Sequence, residues 1–335
     1  MNMQQWCADV IAGEKKKAIP VLSFPCVQLM GVTVRELVNS SELQAEGMRL
    51  VAERVNSGAS VSMMDLSVEA EAFGSAIRTD EHEIPTVTDA IVQSLEAADA
   101  LAVPAVGAGR TAKYVQAIGR AVELIPDRPV FAGIIGPFSL AGRLMGVSDA
   151  LMNCYDEPEM VHATMQKATE FLIAYARAYR DVHAAGVVMA EPLTGLLSPD
   201  MAEEFSEPYV RQIVEAVQED DFLVIYHNCG ASAVKMIPSL LRTGARAFHF
   251  GNKVDMETVL KQMPGNVIAM GNIDPANEFR NGTPESVRAE TMRLLNACGG
   301  YKNFVISSGC DIPPESPWEN IDAFFSAVDA FYAAK

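Results

Sequence analysis

Short apolar runs rich in β-branched residues alternate with amphipathic helical segments along almost the whole of this 335-residue chain. The runs are apolar at successive positions, which is typical of parallel strands that are buried on both faces. This pattern predicts eight strands, at Ile19–Ser23, Ala59–Met63, Val130–Ile134, Val187–Ala190, Phe222–Tyr226, Arg246–His249, Val267–Met270 and Phe304–Ser307.

The segments between these runs predict helices, among them Glu42–Asn56, Asp156–Ala184, Ser206–Gln218 and Pro284–Cys298. Eight strands that alternate with helices favour an α/β fold of the (β/α)8 TIM barrel type. A doubly wound open sheet is the alternative. No Gly-x-Gly-x-x-Gly follows the first predicted strand, which argues against the dinucleotide-binding version of that sheet.

The early part of the chain has two long connections, from Met63 to Val130 and from Ile134 to Val187. We therefore expect N-terminal helical additions and insertions after strands 2 and 3 of the barrel. No linker rich in Ser, Pro or Gly divides the sequence, so residues 1–335 are predicted to form a single barrel domain.

The charge balance excludes two classes of partner. The chain has 26 Lys+Arg against 43 Asp+Glu, a formal net charge of −17. Nucleic acids and anionic membranes both require a basic face, so we expect neither as a partner. The first ten residues lack the apolar segment of a signal peptide, and no apolar run is long enough to span a bilayer. These features predict a cytoplasmic protein.

Six cysteines in a chain of this length do not suggest a disulfide framework. Cys7, Cys154 and Cys298 fall in helical segments and are interpreted as core thiols. Cys26 ends the first predicted strand and is either a core residue or part of the pocket. Cys229 and Cys310 are different, because each follows a predicted barrel strand.

The active sites of TIM barrels lie at the carboxyl ends of the strands. His227-Asn228-Cys229 ends the fifth predicted strand and Cys310 follows the eighth. One imidazole and two thiolates supply three of the four corners of a zinc tetrahedron, and three protein ligands with one open position are typical of catalytic zinc. We therefore predict His227, Cys229 and Cys310 as metal ligands, although buried cysteines and a core histidine would give the same spacing.

Five further polar residues lie at predicted strand ends, and each has a structural alternative. Glu191 is a candidate zinc ligand, partner of His227 or proton acceptor, or else a carboxylate that stabilises the rim. Asp65 is a candidate catalytic acid, or part of a solvated helix face with Glu69 and Glu71. His249 is either within reach of the metal or packed inside the barrel. Asn272 and Asp274 either hold substrate or cofactor or shape their loop.

The motifs of the chain resemble those of the uroporphyrinogen decarboxylase superfamily over nearly its whole length. The motifs that it shares with the superfamily as a whole are Gly136-Pro137-Phe138 and Gly271-Asn272-Ile273-Asp274-Pro275. Within the superfamily, the His227-x-Cys229 and Cys310 set is similar to that of the zinc-dependent corrinoid-protein methyltransferases. The porphyrinogen decarboxylases carry an Arg-Gln-Ala-Gly-Arg segment after the first strand, whereas this chain has Phe24–Gly31 there without arginine.

This resemblance implies one Zn²⁺ ion per chain, held by His227, Cys229 and Cys310. It also implies a methyl-corrinoid supplied by a partner protein, and a small methyl acceptor, either a thiol such as coenzyme M or tetrahydrofolate. Some members of this branch have an acidic residue after the sixth strand, where this chain reads Phe250–Lys253, so the fourth ligand is open. The alternatives are a decarboxylase in which Asp65 or Glu191 handles the proton, and a non-enzymatic corrinoid-docking protein.

Overall fold

A curved sheet of seven parallel strands forms the centre of the computed structural model, which describes residues 1–334. Its order is β1-β4-β5-β6-β7-β8-β9, so each strand pairs with the strand that follows it, apart from a separate hairpin of β2 and β3. The strands are β1 (Ser60–Val61), β2 (Ile77–Arg78), β3 (Thr86–Val87), β4 (Val130–Ile135), β5 (Gly186–Ala190), β6 (Leu223–Asn228), β7 (Ala247–Phe250), β8 (Ile268–Ile273) and β9 (Phe304–Ser308).

Helices connect the strands and cover the outside of the sheet, as expected when crossovers join parallel strands. They are α1 (Met3–Ala12), α2 (Cys26–Met30), α3 (Val34–Val38), α4 (Ser41–Arg54), α5 (Val68–Ala72), α6 (Leu95–Ala100), α7 (Thr111–Leu124), α8 (Pro137–Met145), α9 (Val147–Asp156), α10 (Pro158–Asp181), α11 (Pro199–Phe205), α12 (Glu207–Val217), α13 (Ile237–Arg242), α14 (Met256–Leu260), α15 (Pro284–Cys298) and α16 (Trp318–Ala333). Short 3₁₀ turns at Leu193–Leu196 and Ala233–Met236 and a π-helical turn at Pro275–Arg280 complete the chain.

One predicted strand is wrong. Residues 19–23 are not a strand, although they lie in the gap between β9 and β1 where an eighth strand would stand. The Ile19 amide donates to the Ile306 carbonyl at 3.1 Å, and the Gly58 amide donates to the Ala18 carbonyl at 2.9 Å. Further along, the Val21 amide donates to the side-chain Oγ of Ser308 instead of to a carbonyl. The apolar run thus fills the position of a strand without making its continuous ladder.

Both expected insertions are present. The connection from β1 to β4 contains α5, the β2–β3 hairpin, α6 and α7, and the connection from β4 to β5 contains α8, α9 and the 24-residue helix α10. Each strand of the hairpin has only two residues, which is too short for an alternation of apolar and polar residues to predict it from the sequence. The barrel-like α/β fold class is confirmed.

Two apolar layers hold the fold together. Side chains that point into the barrel, such as Phe131, Ile225 and Ile268, form an inner cluster, and the larger cluster lies between the strands and the surrounding helices. Helix α1 covers the amino-terminal end of the barrel, where the rings of Trp6 and Phe131 are 5.9 Å apart. The opposite, carboxyl end stays open for polar residues. Within residues 1–334, no helix combines the length and the apolar character needed to span a bilayer.

Candidate metal centre

One nitrogen donor and two sulfur donors converge at the carboxyl end of the barrel. His227 is the fifth residue of β6, Cys229 follows that strand, and Cys310 lies two residues beyond β9. The candidate ligand atoms of these three residues all lie within 4.8 Å of one another. His227 is buried, and the two cysteines are partly buried. The structure therefore brings together the three residues that the sequence predicts as metal ligands.

The arrangement fits zinc in its donor chemistry and in its spacing. Tetrahedral zinc with Zn–S of about 2.3 Å and Zn–N of about 2.0–2.1 Å holds its ligand atoms roughly 3.5–3.8 Å apart. That separation lies within the observed limit. In addition, His227 Nε2 is fully buried and has no hydrogen-bond partner, which is unusual for a polar atom in a core. A bound cation would satisfy this nitrogen.

Close-packed glycines hold the loop that carries Cys229. A Cβ at Gly251 would lie 2.4 Å from the Cα of Cys229, and a Cβ at Gly230 would lie 2.3 Å from the Cα of Gly195. These distances are well inside van der Waals contact, so only glycine fits at either position. The Gly251 amide also donates to the Asn228 carbonyl at 3.0 Å. The position of Cys229 is thus fixed by backbone packing.

A buried chain of hydrogen bonds supports the imidazole of His227. Its Nδ1 lies 2.7 Å from Nδ1 of His249, and Nε2 of His249 lies 2.7 Å from Oγ of Ser307. If His227 uses Nε2 as a metal ligand, its proton is on Nδ1 and is donated to His249, which must then accept through Nδ1 and carry its own proton on Nε2. Burial lowers the pKa of His249 well below its usual value, so it stays neutral and can accept.

The two thiols have different proton affinities. The thiol of Cys310 donates a hydrogen bond to Cys229, which lowers the pKa of Cys229, and the nearby imidazole of His227 lowers it further against the opposing effect of burial. The pKa of Cys310 is raised by the same contact and by burial. One thiolate is thus favoured before any cation binds, and a cation would stabilise both.

Glu191 does not belong to the group of metal-ligating atoms. Its carboxylate accepts from the Ser139 amide at 3.1 Å, in the first turn of α8, and from the hydroxyl of Thr194. It is fully buried, and burial raises its pKa to about 7. A Cβ at Gly136 would lie 2.1 Å from this side chain. Glu191 therefore joins the start of α8 to the segment after β5, and a catalytic role for it stays a prediction.

Asp65 is held in a buried ion pair. Arg110 contacts its Oδ2 at 2.5 Å and contacts Glu71 at 2.6 Å, and both Asp65 and Arg110 are about 5% exposed or less. The hydroxyl of Tyr114 also donates to Asp65 at 2.8 Å, and Ser67 contributes a further hydrogen bond. The carboxylate is thus occupied by protein donors. This environment is not that of a solvated helix face, and a catalytic role for Asp65 stays a prediction.

Asn272 and Asp274, predicted to bind substrate or cofactor, are bonded to their own loops. The Asn272 amide donates to the carbonyls of Gly251 and Val254, both at 2.8 Å, and so holds the segment after β7. Asp274 caps the π-helical turn by accepting from the Ala276 amide at 2.9 Å, and it also accepts from the Asn252 side chain at 2.7 Å. Their direct contact with a ligand remains a prediction.

The remaining cysteines are thiols away from the metal centre. Cys26 and Cys298 are buried, and burial raises the pKa of Cys26 to about 12 and that of Cys298 to about 11. Cys26 packs against Gly47, where a Cβ would lie 2.4 Å from its sulfur. Cys7 and Cys154 are partly buried and buried, respectively. Of the two interpretations of Cys26, the core residue is correct.

Sequence reasoning missed three residues around the site. Ser307 is the last member of the hydrogen-bond chain from His227, and Arg110 is the partner of Asp65. Asp311, directly after Cys310, is partly buried and accepts from the Met64 amide at 3.2 Å, and desolvation raises its pKa to about 8. Asp311 had a sequence signal, because it adjoins a predicted ligand. Arg110 had none, since it lies 45 residues from Asp65 in an insertion.

The fold and the site together define an α/β-barrel protein with a candidate metal centre of one histidine and two cysteines at the carboxyl end of its strands. The chain belongs to the uroporphyrinogen decarboxylase (URO-D) family, whose model matches residues 5–331. The predicted family resemblance is confirmed.

Among curated proteins, the methylcobamide:CoM methyltransferase MtbA of Methanosarcina mazei is 31% identical over 266 residues, which cover 77% of this chain and 75% of MtbA. The MtbA of Methanosarcina acetivorans is 29% identical over 262 residues, with the same coverage. A uroporphyrinogen decarboxylase of Coxiella burnetii is 28% identical over 305 residues, which cover 87% of this chain and 82% of the decarboxylase. The family thus includes relatives of both reaction classes.

Among solved structures, a methyltransferase from Methanosarcina mazei superposes with a TM-score of 0.86 at 24% identity, over 99% of this chain and 98% of that one. A B12-independent methionine synthase from Shewanella superposes with a TM-score of 0.59 at 13% identity, over 88% and 89% of the two chains. At these identities, both matches establish the fold.

Proposed function

We propose that this protein is a zinc-dependent methyltransferase that moves a methyl group between a methyl-corrinoid on a partner protein and a small acceptor. The observation that carries the proposal is the convergence of His227, Cys229 and Cys310, with the buried Nε2 of His227 lacking any other partner. The similarity to two methylcobamide:CoM methyltransferases supports the reaction class.

The chain's own residues would create an open coordination position. His227, Cys229 and Cys310 would bind one zinc ion, and His249 would keep His227 in the tautomer that presents Nε2. Zinc, when bound, supplies a Lewis acid that lowers the pKa of a thiol at the fourth position. The barrel mouth would leave room for a partner protein to present its corrinoid.

The favoured acceptor is a thiol such as coenzyme M, because sulfur-rich zinc sites suit thiolates, and tetrahydrofolate is the second candidate. With a thiol, the acceptor's sulfur forms a bond to the methyl carbon while the cobalt–carbon bond breaks. Cobalt keeps the electron pair of that bond and changes from Co(III) to Co(I), and the thiol proton passes to solvent. No external oxidant or reductant is needed.

A decarboxylase of the same fold is the alternative, and two observations weigh against it. It would need Asp65 or Glu191 to face a substrate with an available carboxyl group. Asp65 is paired with Arg110 and hydrogen-bonded to Tyr114, and Glu191 is fully buried against the start of α8. A corrinoid-docking protein without activity would not need three converging metal donors. We therefore favour methyl transfer.

The experiment that tests this proposal follows the absorbance change from methyl-Co(III) to Co(I) on a methylated corrinoid, with coenzyme M and with tetrahydrofolate as acceptors. We expect turnover with one acceptor and one zinc ion per chain. Cys310→Ser is expected to lose both zinc and turnover, while Cys7→Ser, at the opposite end of the barrel, keeps both. Metal-free, folded wild-type protein, or no turnover with either acceptor, would overturn the proposal.

A further inference from the structure

Three large apolar residues are exposed on two neighbouring elements of the fold. Within residues 2–334, the large apolar residues that are more than half exposed are Met152, Tyr155 and Leu196, at 55%, 73% and 63%. Met152 and Tyr155 lie one turn apart on α9, and Leu196 ends the 3₁₀ turn at Leu193–Leu196. Single exposed apolar residues are common, whereas a group of them with a polar border is typical of a protein–protein contact.

Helix α9 and the 3₁₀ turn belong to one surface. They meet at α8, because a Cβ at Gly142 would lie 2.1 Å from Leu193 Cδ2 and 4.0 Å from the Cβ of Ala150. Glu204 of α11, the helix that follows the turn, is also close to α9. Its charge adds to the effect of burial that raises the pKa of Cys154 to about 11. The exposed side chains of α9 and of the turn therefore share one side of the molecule.

This surface adjoins the candidate metal centre. Gly195, the residue before Leu196, packs on the loop that carries Cys229, since a Cβ at Gly195 would lie 2.5 Å from the Cα of Gly230. Neither glycine leaves room for a side chain, so the turn and the loop are in direct backbone contact. A protein that covers Leu196 would thus stand beside the metal-binding loop at the open end of the barrel.

The border of the surface is acidic. Segments 147–159 and 193–209 contain eight Asp or Glu residues and neither Lys nor Arg. In a contact between two copies related by a two-fold axis, this border would face itself and repel. The charge therefore favours a different protein, with basic residues around the part that covers the apolar side chains. Five exposed carboxylates of these segments have no basic group of residues 1–334 within ion-pair distance, namely Asp149, Asp156, Glu157, Glu159 and Asp200.

We propose that Met152, Tyr155 and Leu196 form the docking surface for the corrinoid-carrying partner, whose contacting face is apolar at its centre and basic at its border. Aromatic residues and methionine are enriched at the centres of protein interfaces, where a few side chains supply most of the binding energy. The inference rests on the proposed function, because the surface borders the loop of Cys229, to which such a partner must bring its cofactor. It assigns the recognition of the partner to residues outside the barrel.

The test compares two methyl donors, free methylcobalamin and a purified corrinoid protein of the source organism loaded with methylcobalamin. A substitution that disturbs the metal centre changes kcat/KM for both donors, so the ratio of the two values measures docking. We expect Tyr155→Ala combined with Leu196→Ser to lower kcat/KM for the protein-bound donor, relative to the free donor, roughly 10- to 100-fold. Tyr155→Phe, which keeps the ring, is expected to keep the wild-type ratio. An unchanged ratio in the double variant would overturn the inference.

Charge reversal tests the acidic border. Asp156→Lys should lower the same ratio, and added salt should reduce the difference between this variant and the wild type, because salt screens exposed charges. Glu123→Lys is the control, since Glu123 is exposed on α7 near the amino-terminal end of β4, and it should leave the ratio unchanged. An equal effect of the two reversals would contradict a role for this border.

Sedimentation of the same corrinoid protein with this chain, without acceptor, gives a readout that does not depend on turnover. We expect a complex that the double variant weakens by a similar factor. If no complex formed, or if the wild type were a dimer that the double variant dissociates, the inference would be overturned, and in the second case a second copy would cover the surface. A complex that depends on Tyr155 and Leu196 but gives no turnover would contradict only the proposed methyl transfer.

Discussion

The imidazole rings of His227 and His249 meet inside the barrel with their Nδ1 atoms 2.7 Å apart. The two residues are in register on the neighbouring parallel strands β6 and β7, so both side chains point to the same face of the sheet. Two nitrogens at this distance share one proton, and Nε2 of His249 lies 2.7 Å from Oγ of Ser307. The relationship makes His249 a positioning residue for the proposed ligand His227.

We predict that His249→Ala weakens zinc binding by roughly 10- to 100-fold, the usual effect of losing the partner of a metal-bound histidine. His249→Asn keeps an acceptor near the Nδ1 position and is expected to recover part of the affinity. Competition with a chromogenic chelator measures the zinc dissociation constant directly. If both variants bound zinc as tightly as the wild type, His249 would be only a core residue.

Gly251 offers a test of backbone packing at the same centre. A methyl group there would lie 2.4 Å from the Cα of Cys229, so Gly251→Ala must displace the loop that carries this thiol. We expect a loss of zinc affinity of at least tenfold. Gly265→Ala is the matched control, because a Cβ at Gly265 meets no atom within 4 Å. Equal zinc content in the two variants after dialysis would contradict the argument.

Much of this architecture could be predicted from local sequence patterns. Helix α15 begins at Pro284 and ends at Cys298 as predicted, because Thr283 caps it and its apolar period is clear. The three donors at strand ends could be assigned to one place because parallel strands of a barrel share one carboxyl edge. These features depend on short-range pattern and on topology alone.

Other features depend on contacts that no local pattern records. The run at residues 19–23 is apolar like its neighbours, yet Val21 donates to the Ser308 side chain and the ladder is interrupted. The charge of Asp65 is compensated by Arg110, which lies in a long insertion that returns to the barrel mouth. The sequence pattern identifies candidate carboxylates, but it does not show which of them will form an ion pair with a basic side chain that is distant in the sequence.

The buried carboxyl of Glu191 predicts a pH-dependent contribution to stability. Burial raises its pKa to about 7, from the 4.5 of an exposed glutamate. The folded state therefore binds the proton more tightly than the unfolded state. The stabilising contribution is fully present below about pH 4.5 and is lost as the pH rises through about 7.

Glu191→Gln should remove this dependence, because a neutral amide can still accept from Ser139. Between pH 5 and pH 8, the free energy of unfolding of the wild type should decrease by about 2 to 3 kcal/mol more than that of Glu191→Gln. Urea denaturation at several pH values measures the difference. Glu123→Gln, at an exposed site of α7, serves as the control. Parallel pH profiles for the wild type and Glu191→Gln would show that this carboxyl ionises normally.

Substitutions at Asp65 and Arg110 can distinguish a structural role of the Asp65 carboxylate from a catalytic one. Removing one member of a buried ion pair leaves an uncompensated charge and typically costs about 3 to 5 kcal/mol. We therefore expect Arg110→Met to lower the free energy of unfolding by about that amount, and Asp65→Asn combined with Arg110→Met to recover a large part of it. Arg293→Met, which breaks the exposed pair with Glu290, should cost less than about 1 kcal/mol. If the double variant were as stable as the wild type and kept methyl transfer, Asp65 would act only in the fold. If it regained stability but lost turnover, the pair of Asp65 and Arg110 would also be needed at the barrel mouth, because the two substitutions would then have separated folding from activity.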